Sequence, residues 1–103
     1  ERVLIAPAAA AEAVRAGATL VDIRTREEFE AVHVPGAELF SQDLFQRLAK
    51  SAPLVVIDHT GRRALDAAAY FSGHGFSDVH AVRGGMDAWS ETVDPSLPRY
   101  TLE

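Results

Sequence analysis

Cysteine is missing from all 103 residues of the chain. Disulfides, thiolate metal sites and catalysis by a protein thiol are thereby excluded. Nothing points to an oxidising compartment, and a cytoplasmic location is expected. Positive charge is in short supply: ten Lys and Arg stand against fifteen Asp and Glu, a formal net charge of −5. That balance argues against nucleic acid and anionic membrane as partners, while leaving room for a local basic patch. No apolar run is long enough to span a bilayer, and no signal-peptide pattern opens the chain. His33, His59, His74 and His80 lack metal-ligand spacing, so no metal site is expected. No nucleophile elbow, P-loop or dinucleotide fingerprint occurs, and no cofactor is expected.

What is present is a globular composition, 48% hydrophobic and 24% charged, in a length suited to one small domain spanning residues 1–103. The first residue is Glu rather than Met, which suggests a trimmed chain or a part of a longer protein, and Leu102-Glu103 resembles a tag remnant. Helix is expected from Ala8 to Ala16 after Pro7, with Gly17 closing it. Thr19 to Ile23 reads as a buried strand, and Thr25 with Glu28 forms a capping box opening a brief helix through Ala31. Pro35 and Gly36 mark a turn, and Ala37 to Phe40 is a weak strand candidate. Ser41 caps a helix with Leu44, Phe45 and Leu48 on one face. "LVVI" (54 to 57) is the clearest strand. A helix follows with Leu65, Ala68, Ala69 and Phe71 inward, ending near Gly73 and Gly75. "DVHAV" (78 to 82), the turn "RGG" and the helix "MDAWSE" (86 to 91) come next. Residues 93–103 read as an extended tail. Strands alternating with helices imply an α/β domain with a mainly parallel sheet covered on both faces.

In "VVIDHTGRRALDAAAYF" (55 to 71) a β-branched run stops abruptly and passes through a Gly-containing loop into a helix. Loop N–H groups and a helix N-terminus converge in such a build and cradle an anion. Ligands of parallel α/β sheets bind beyond the carboxyl ends of the strands. The loop Asp58, His59, Thr60, Gly61, Arg62, Arg63 is therefore the leading candidate site, although its first residue is itself an anion.

Three segments carry a family likeness. "LVDIRTREEFEAVHVPGA" (20 to 37), "VVIDHTGRRA" (55 to 64) and "VRGGMDAWSE" (82 to 91) together resemble the signatures of the rhodanese-like sulfurtransferase domains. The resemblance implies a three-layer α/β/α domain around a central, mainly parallel sheet of about five strands. It also implies an active-site loop that begins with a persulfide-forming Cys, with Gly at the fourth place and Arg at the sixth. Asp58, Gly61 and Arg63 occupy those places, so the nucleophile departs. The six-position loop matches the sulfurtransferase branch rather than the related phosphatases, whose loop is one residue longer. Val32 stands where the family often has Gly, and Ala64 where a hydroxyl is common.

A carboxylate cannot hold a sulfane sulfur, which is thiolate chemistry. The expectation is therefore a catalytically inactive domain with no catalytic residue, acting as a binding or regulatory module rather than an enzyme. The Asp58 oxygens lie as many bonds beyond Cβ as the terminal sulfur of a persulfide. Asp58 is expected to imitate the sulfur-loaded state by accepting from N–H groups of residues 59 to 63. A second reading takes Asp58 as a drifted residue or a simple helix-start acid. The alternatives are an enzyme acting on a small anion through Asp58, or a sulfurtransferase relative whose native Cys was replaced. One reading of Arg62 and Arg63, together with Arg83, is a cationic rim around the cradle; the favoured one has Arg63 organising the loop and the others solvated. His59 is expected to be exposed, Asp22, Arg24 and His33 to make structural hydrogen bonds, and Trp89 to lie in the core. The expected partner is a protein, with sulfur-carrier machinery suggested by the tail "VDPSLPRY"; the oligomeric state stays open.

Overall fold

In the computed structural model, which describes residues 3–97, five strands and five helices alternate. They are β1 (Leu4–Ile5), α1 (Pro7–Arg15), β2 (Thr19–Asp22), α2 (Arg26–Ala31), β3 (Glu38–Leu39), α3 (Gln42–Arg47), β4 (Leu54–Ile57), α4 (Ala64–Gly73), β5 (Val79–Val82) and α5 (Gly85–Thr92). The strands form one sheet in the order β1-β5-β4-β2-β3, and every neighbouring pair is parallel. This is the expected α/β architecture.

The central strand shows why both faces must be covered. All four residues of β4 are buried, and the period-2 alternation of side chains divides them. Val55 and Ile57 join Leu20, Val82, Met86, Trp89 and the alanines of α1 on one side. Leu54 and Val56 join Val21, Leu44, Ala68, Phe71 and Phe76 on the other. Trp89 is core, as its spacing implied.

Helix ends follow local chemistry. Thr25 Oγ1 accepts from Glu28 N while Glu28 Oε1 accepts from Thr25 N, the reciprocal box read in the sequence. In α3, Asp43 accepts from Arg47 Nε at 2.9 Å, and that hydrogen bond raises the guanidinium's pKa above its ordinary value. At the end of α4, Gly75 adopts a φ of +96°. Its N–H reaches Ser72 O, and Phe76 N–H reaches Phe71 O. This left-handed closure brings the rings of Phe71 and Phe76 to 5.2 Å and seals the core beneath it.

The inward face of α4 differs from expectation. The helix starts at Ala64 and buries Ala64, Ala68 and Phe71, an i, i+4, i+7 stripe. That phase turns Ala69 outward and leaves Leu65 46% exposed. Of the tail, residues 93–97 make a turn in which Leu97 N–H bonds Asp94 O and Ser90 Oγ donates to Leu97 O; residues 98–103 lie outside the described residues. Among the described residues no helix is long and apolar enough to cross a membrane.

Candidate active site

The loop from Asp58 to Arg63 lies at the carboxyl end of β4, in the middle of the sheet, and runs directly into α4. The carboxylate of Asp58 turns inward and is 5% exposed. Its Oδ1 accepts from Gly61 N and its Oδ2 from Arg63 N, both at 2.7 Å. Of the donors expected from residues 59 to 63, these two make the bonds to Asp58. The loop curls back because Gly61 has a φ of +91°, a conformation that costs glycine little and other residues more.

A second element clasps the loop from behind. Met86 N–H donates to Asp58 O at 2.7 Å and Asp87 N–H to His59 O at 3.0 Å, so the first turn of α5 spends its free N–H groups on the loop backbone. The approach demands two glycines. A Cβ on Gly85 would lie 2.6 Å from Asp58 O and from the His59 carbonyl carbon, and one on Gly61 would lie 2.7 Å from Gly84 N. Sequence reasoning read "RGG" as a turn and missed this contact; its available signal was a glycine pair immediately before a helix.

The guanidinium groups divide into two kinds. Arg24 is buried and engages Asp22 through Nη2–Oδ2 at 2.7 Å and Nε–Oδ1 at 2.9 Å, and it donates to Val32 O at 2.7 Å. His33 Nδ1 lies 2.7 Å from Phe29 O, and its ring stacks on Phe29. Asp22, Arg24 and His33 thus make structural bonds that brace the segment between β2 and β3. Arg62, Arg63 and Arg83 are instead exposed, and no carboxylate pairs with them among the described residues. Arg63 does organise the loop, but through its backbone N–H rather than its guanidinium, a correction that follows from the inward turn of Asp58. Thr60 is exposed and His59 half-buried, where an exposed ring was expected.

Beside the loop, on the α3 and α4 side of the sheet, lies a cavity of about 300 Å³ lined by Ile23, Phe40, Gln42, Ala67, Tyr70 and Phe71. Ile23 N–H bonds Ile57 O, immediately before Asp58, and Ala67 N–H bonds Arg63 O. These are backbone bonds of the sheet and of the first turn of α4; residues 58–63 themselves are not part of the cavity lining. Nothing in the sequence reading had grouped these residues.

A parallel three-layer α/β domain with an anion-cradling loop at the end of its central strand defines the class. The rhodanese-like domain family matches residues 6–92, and the chain belongs to that family. Thiosulfate sulfurtransferase GlpE of Pseudomonas savastanoi pv. phaseolicola is 40% identical over 91 residues, covering 84% of this chain and 86% of that protein. The protein of the same name from Pseudomonas syringae pv. syringae is 38% identical over 102 residues, covering 94% and 92%. Among solved structures, the rhodanese-related protein of Thermoplasma volcanium superposes with a TM-score of 0.76 at 22% identity, covering 97% of this chain and all of that one, a likeness of fold.

These relatives overturn the expectation of a catalytically inactive binding or regulatory module. Proteins sharing 35–40% identity carry the name of an enzyme, thiosulfate sulfurtransferase. They point to an active sulfurtransferase, and the expectation that the chain is no enzyme falls with the module. The missing cysteine does not show that function is lost.

Proposed function

We propose that this domain transfers sulfur from thiosulfate to a thiol acceptor, with Asp58 standing at the position of the family's nucleophilic Cys and the acceptor itself supplying the thiolate. The observation that carries the reading is the intact cradle: Gly61 N and Arg63 N converge at 2.7 Å on the side chain of residue 58. The same cradle lies in a chain whose relatives are named thiosulfate sulfurtransferases. With no protein thiol available, transfer is direct. The acceptor thiolate attacks the outer sulfur of thiosulfate, a new S–S bond forms on the acceptor, the old S–S bond breaks, and its electron pair leaves with sulfite.

Arg62, Arg63 and Arg83, which pair with no carboxylate among the described residues, supply the positive charge that a dianionic donor and a departing sulfite require. Asp58 takes no part in bond making. Its carboxylate occupies the inner donors and keeps the loop ordered, which leaves the donor to bind at the mouth among the arginines. Such chemistry belongs in the cytoplasm, where small thiols are kept reduced.

The test measures sulfite release from thiosulfate with dithiothreitol as acceptor. The native chain should exceed a protein-free control, with intersecting double-reciprocal lines, because both substrates must be bound together. Asp58→Cys should give parallel lines, the mark of a covalent intermediate. No release by the native chain above the control overturns the proposal.

A further inference from the structure

The cavity between α3 and α4 leaves part of the core open. Ile23, Phe40 and Ala67 pack against the core cluster on this side of the sheet, yet each stays only half-buried. Ala67 contributes a single methyl group where a longer side chain would close the gap, so apolar side chains face about 300 Å³ of open space instead of the close packing usual in protein interiors. The rings around that space stand at right angles. Phe40 meets Phe71 at 5.9 Å and 89°, and Tyr70 meets Phe71 at 6.1 Å and 83°. Tyr70 is held in turn by Phe45, ring to ring at 5.5 Å. Such edge-to-face pairs are favoured because positive ring edges meet negative ring faces. Gln42 supplies the one amide of the lining. Its side chain has no hydrogen-bond partner among the described residues, which leaves both its donors and its acceptor available.

We infer that this cavity binds an uncharged, single-ring aromatic molecule carrying a carboxamide, its ring among Phe40, Tyr70 and Phe71 and its amide paired with Gln42. Size sets the first limit. A cavity of about 150 Å³ lined by Leu, Ile and Phe holds benzene. About 300 Å³ therefore admits one ring with a substituent, and it lies at the small end for ligand sites. The ring is aromatic because the perpendicular rings already in the wall present both edges and faces to a newcomer. The carboxamide matches Gln42 donor for acceptor. Negative charge is disfavoured: exposed Asp43 follows Gln42, no Lys or Arg lines the cavity, and the chain carries a net charge of −5. Position agrees with these arguments. Ile23 and Phe40 directly follow β2 and β3, at the carboxyl ends of the strands, where parallel sheets hold their ligands. Residues 58–63 take no part in the lining, so this site is separate from the loop and draws on none of its arginines.

The probe is benzamide, titrated into the isotope-labelled full chain and followed by amide chemical shifts. Saturable shifts should concentrate on the six lining residues, with a Kd of about 1 mM, the range of so small a ligand. Cyclohexanecarboxamide keeps the amide and loses the aromatic ring, and benzoate keeps the ring and gains a charge; each should bind at least about threefold more weakly. Ala67→Leu, which fills the cavity, should weaken benzamide by about tenfold or more, and Gln42→Leu by about threefold to tenfold. Preserved shift dispersion verifies the folding of both variants, and the comparison of ligands on the native chain needs neither. The inference is overturned by the absence of saturable shifts up to about 10 mM benzamide, by shifts centred elsewhere, or by an unchanged Kd in folded Ala67→Leu. Equal binding of benzamide and cyclohexanecarboxamide overturns the assignment of an aromatic ligand. Sulfite release plays no part in these readings, so they stand or fall apart from sulfur transfer.

Discussion

Asp58 accepts two short backbone hydrogen bonds with one carboxylate, and both donors belong to the loop that it begins. An asparagine in its place would present an amide N–H to one of those donors, leaving it unsatisfied in a nearly buried site. Charged-group hydrogen bonds contribute about 1.5–3 kcal/mol, so Asp58→Asn should lower stability by roughly that amount. Thermal unfolding would show it as a fall in Tm of about 4–8 °C per kcal/mol for a domain of this size. An unchanged Tm would mean that the carboxylate does not order the loop. The glycine behind it is constrained more tightly. A Cβ at Gly85 meets backbone atoms of residues 58 and 59 at 2.6–2.7 Å, at a φ of +61°. Neither neighbour can yield without moving the loop. Gly85→Ala should therefore destabilise the domain by more than about 1 kcal/mol, the strain of a left-handed residue alone. It should also lower sulfite release, as the loop is pushed off its seat.

At the scale of elements, the site is a clasp of β4, α4 and α5, braced from one side by the segment that follows β2. The buried Asp22–Arg24 pair is the anchor of that brace, with both side chains no more than 1% exposed. Removing one partner of a buried pair leaves an uncompensated charge and typically costs about 3–5 kcal/mol. Asp22→Ala should shift the urea midpoint accordingly while leaving its slope unchanged. Much of this layout was legible in the sequence. The strands 19–22, 54–57 and 79–82 announce themselves by short, mostly buried stretches rich in valine, isoleucine and threonine, and the cap at Thr25 by its spacing to Glu28. The position of the loop followed from strand-to-helix order alone. The α4 face was misphased because the loop's inward turn onto Asp58 decides where the helix begins, and periodicity within an alanine-rich stretch cannot report that. The grip of Gly84 and Gly85 on residues 58–61 was invisible for another reason: it joins segments far apart in sequence, and only the folded sheet brings β4 and β5 side by side. The cavity was hidden likewise, being assembled from α3, α4 and the residues that immediately follow β2 and β3.

The whole molecule carries an excess of negative charge, −5 overall, yet Arg62 and Arg63 on the loop and Arg83 after β5 are exposed and pair with no carboxylate among the described residues, while the loop's one carboxylate is buried. A thiosulfate dianion approaching this surface meets general repulsion and local attraction, and Asp58 adds a like charge beneath it. At an effective dielectric of about 20, two unit charges 4 Å apart interact by about 4 kcal/mol. The donor can therefore bind only where several guanidinium groups outweigh the carboxylate. Exposed arginines act through solvent, so their attraction must be sensitive to salt. Raising ionic strength from physiological to 1 M shortens the screening length from about 8 Å to about 3 Å. The KM for thiosulfate should then rise severalfold while the maximal rate at saturating donor and dithiothreitol changes little, because screening weakens capture of the dianion rather than the reaction of the filled site. Arg62→Glu and Arg63→Glu should each raise that KM by about tenfold, the factor that corresponds to ~1.4 kcal/mol. High salt should shrink the difference between each variant and the native chain. A KM that ignores both salt and charge reversal would place thiosulfate away from the mouth of the loop, and the direct transfer assigned to it would lose its donor site.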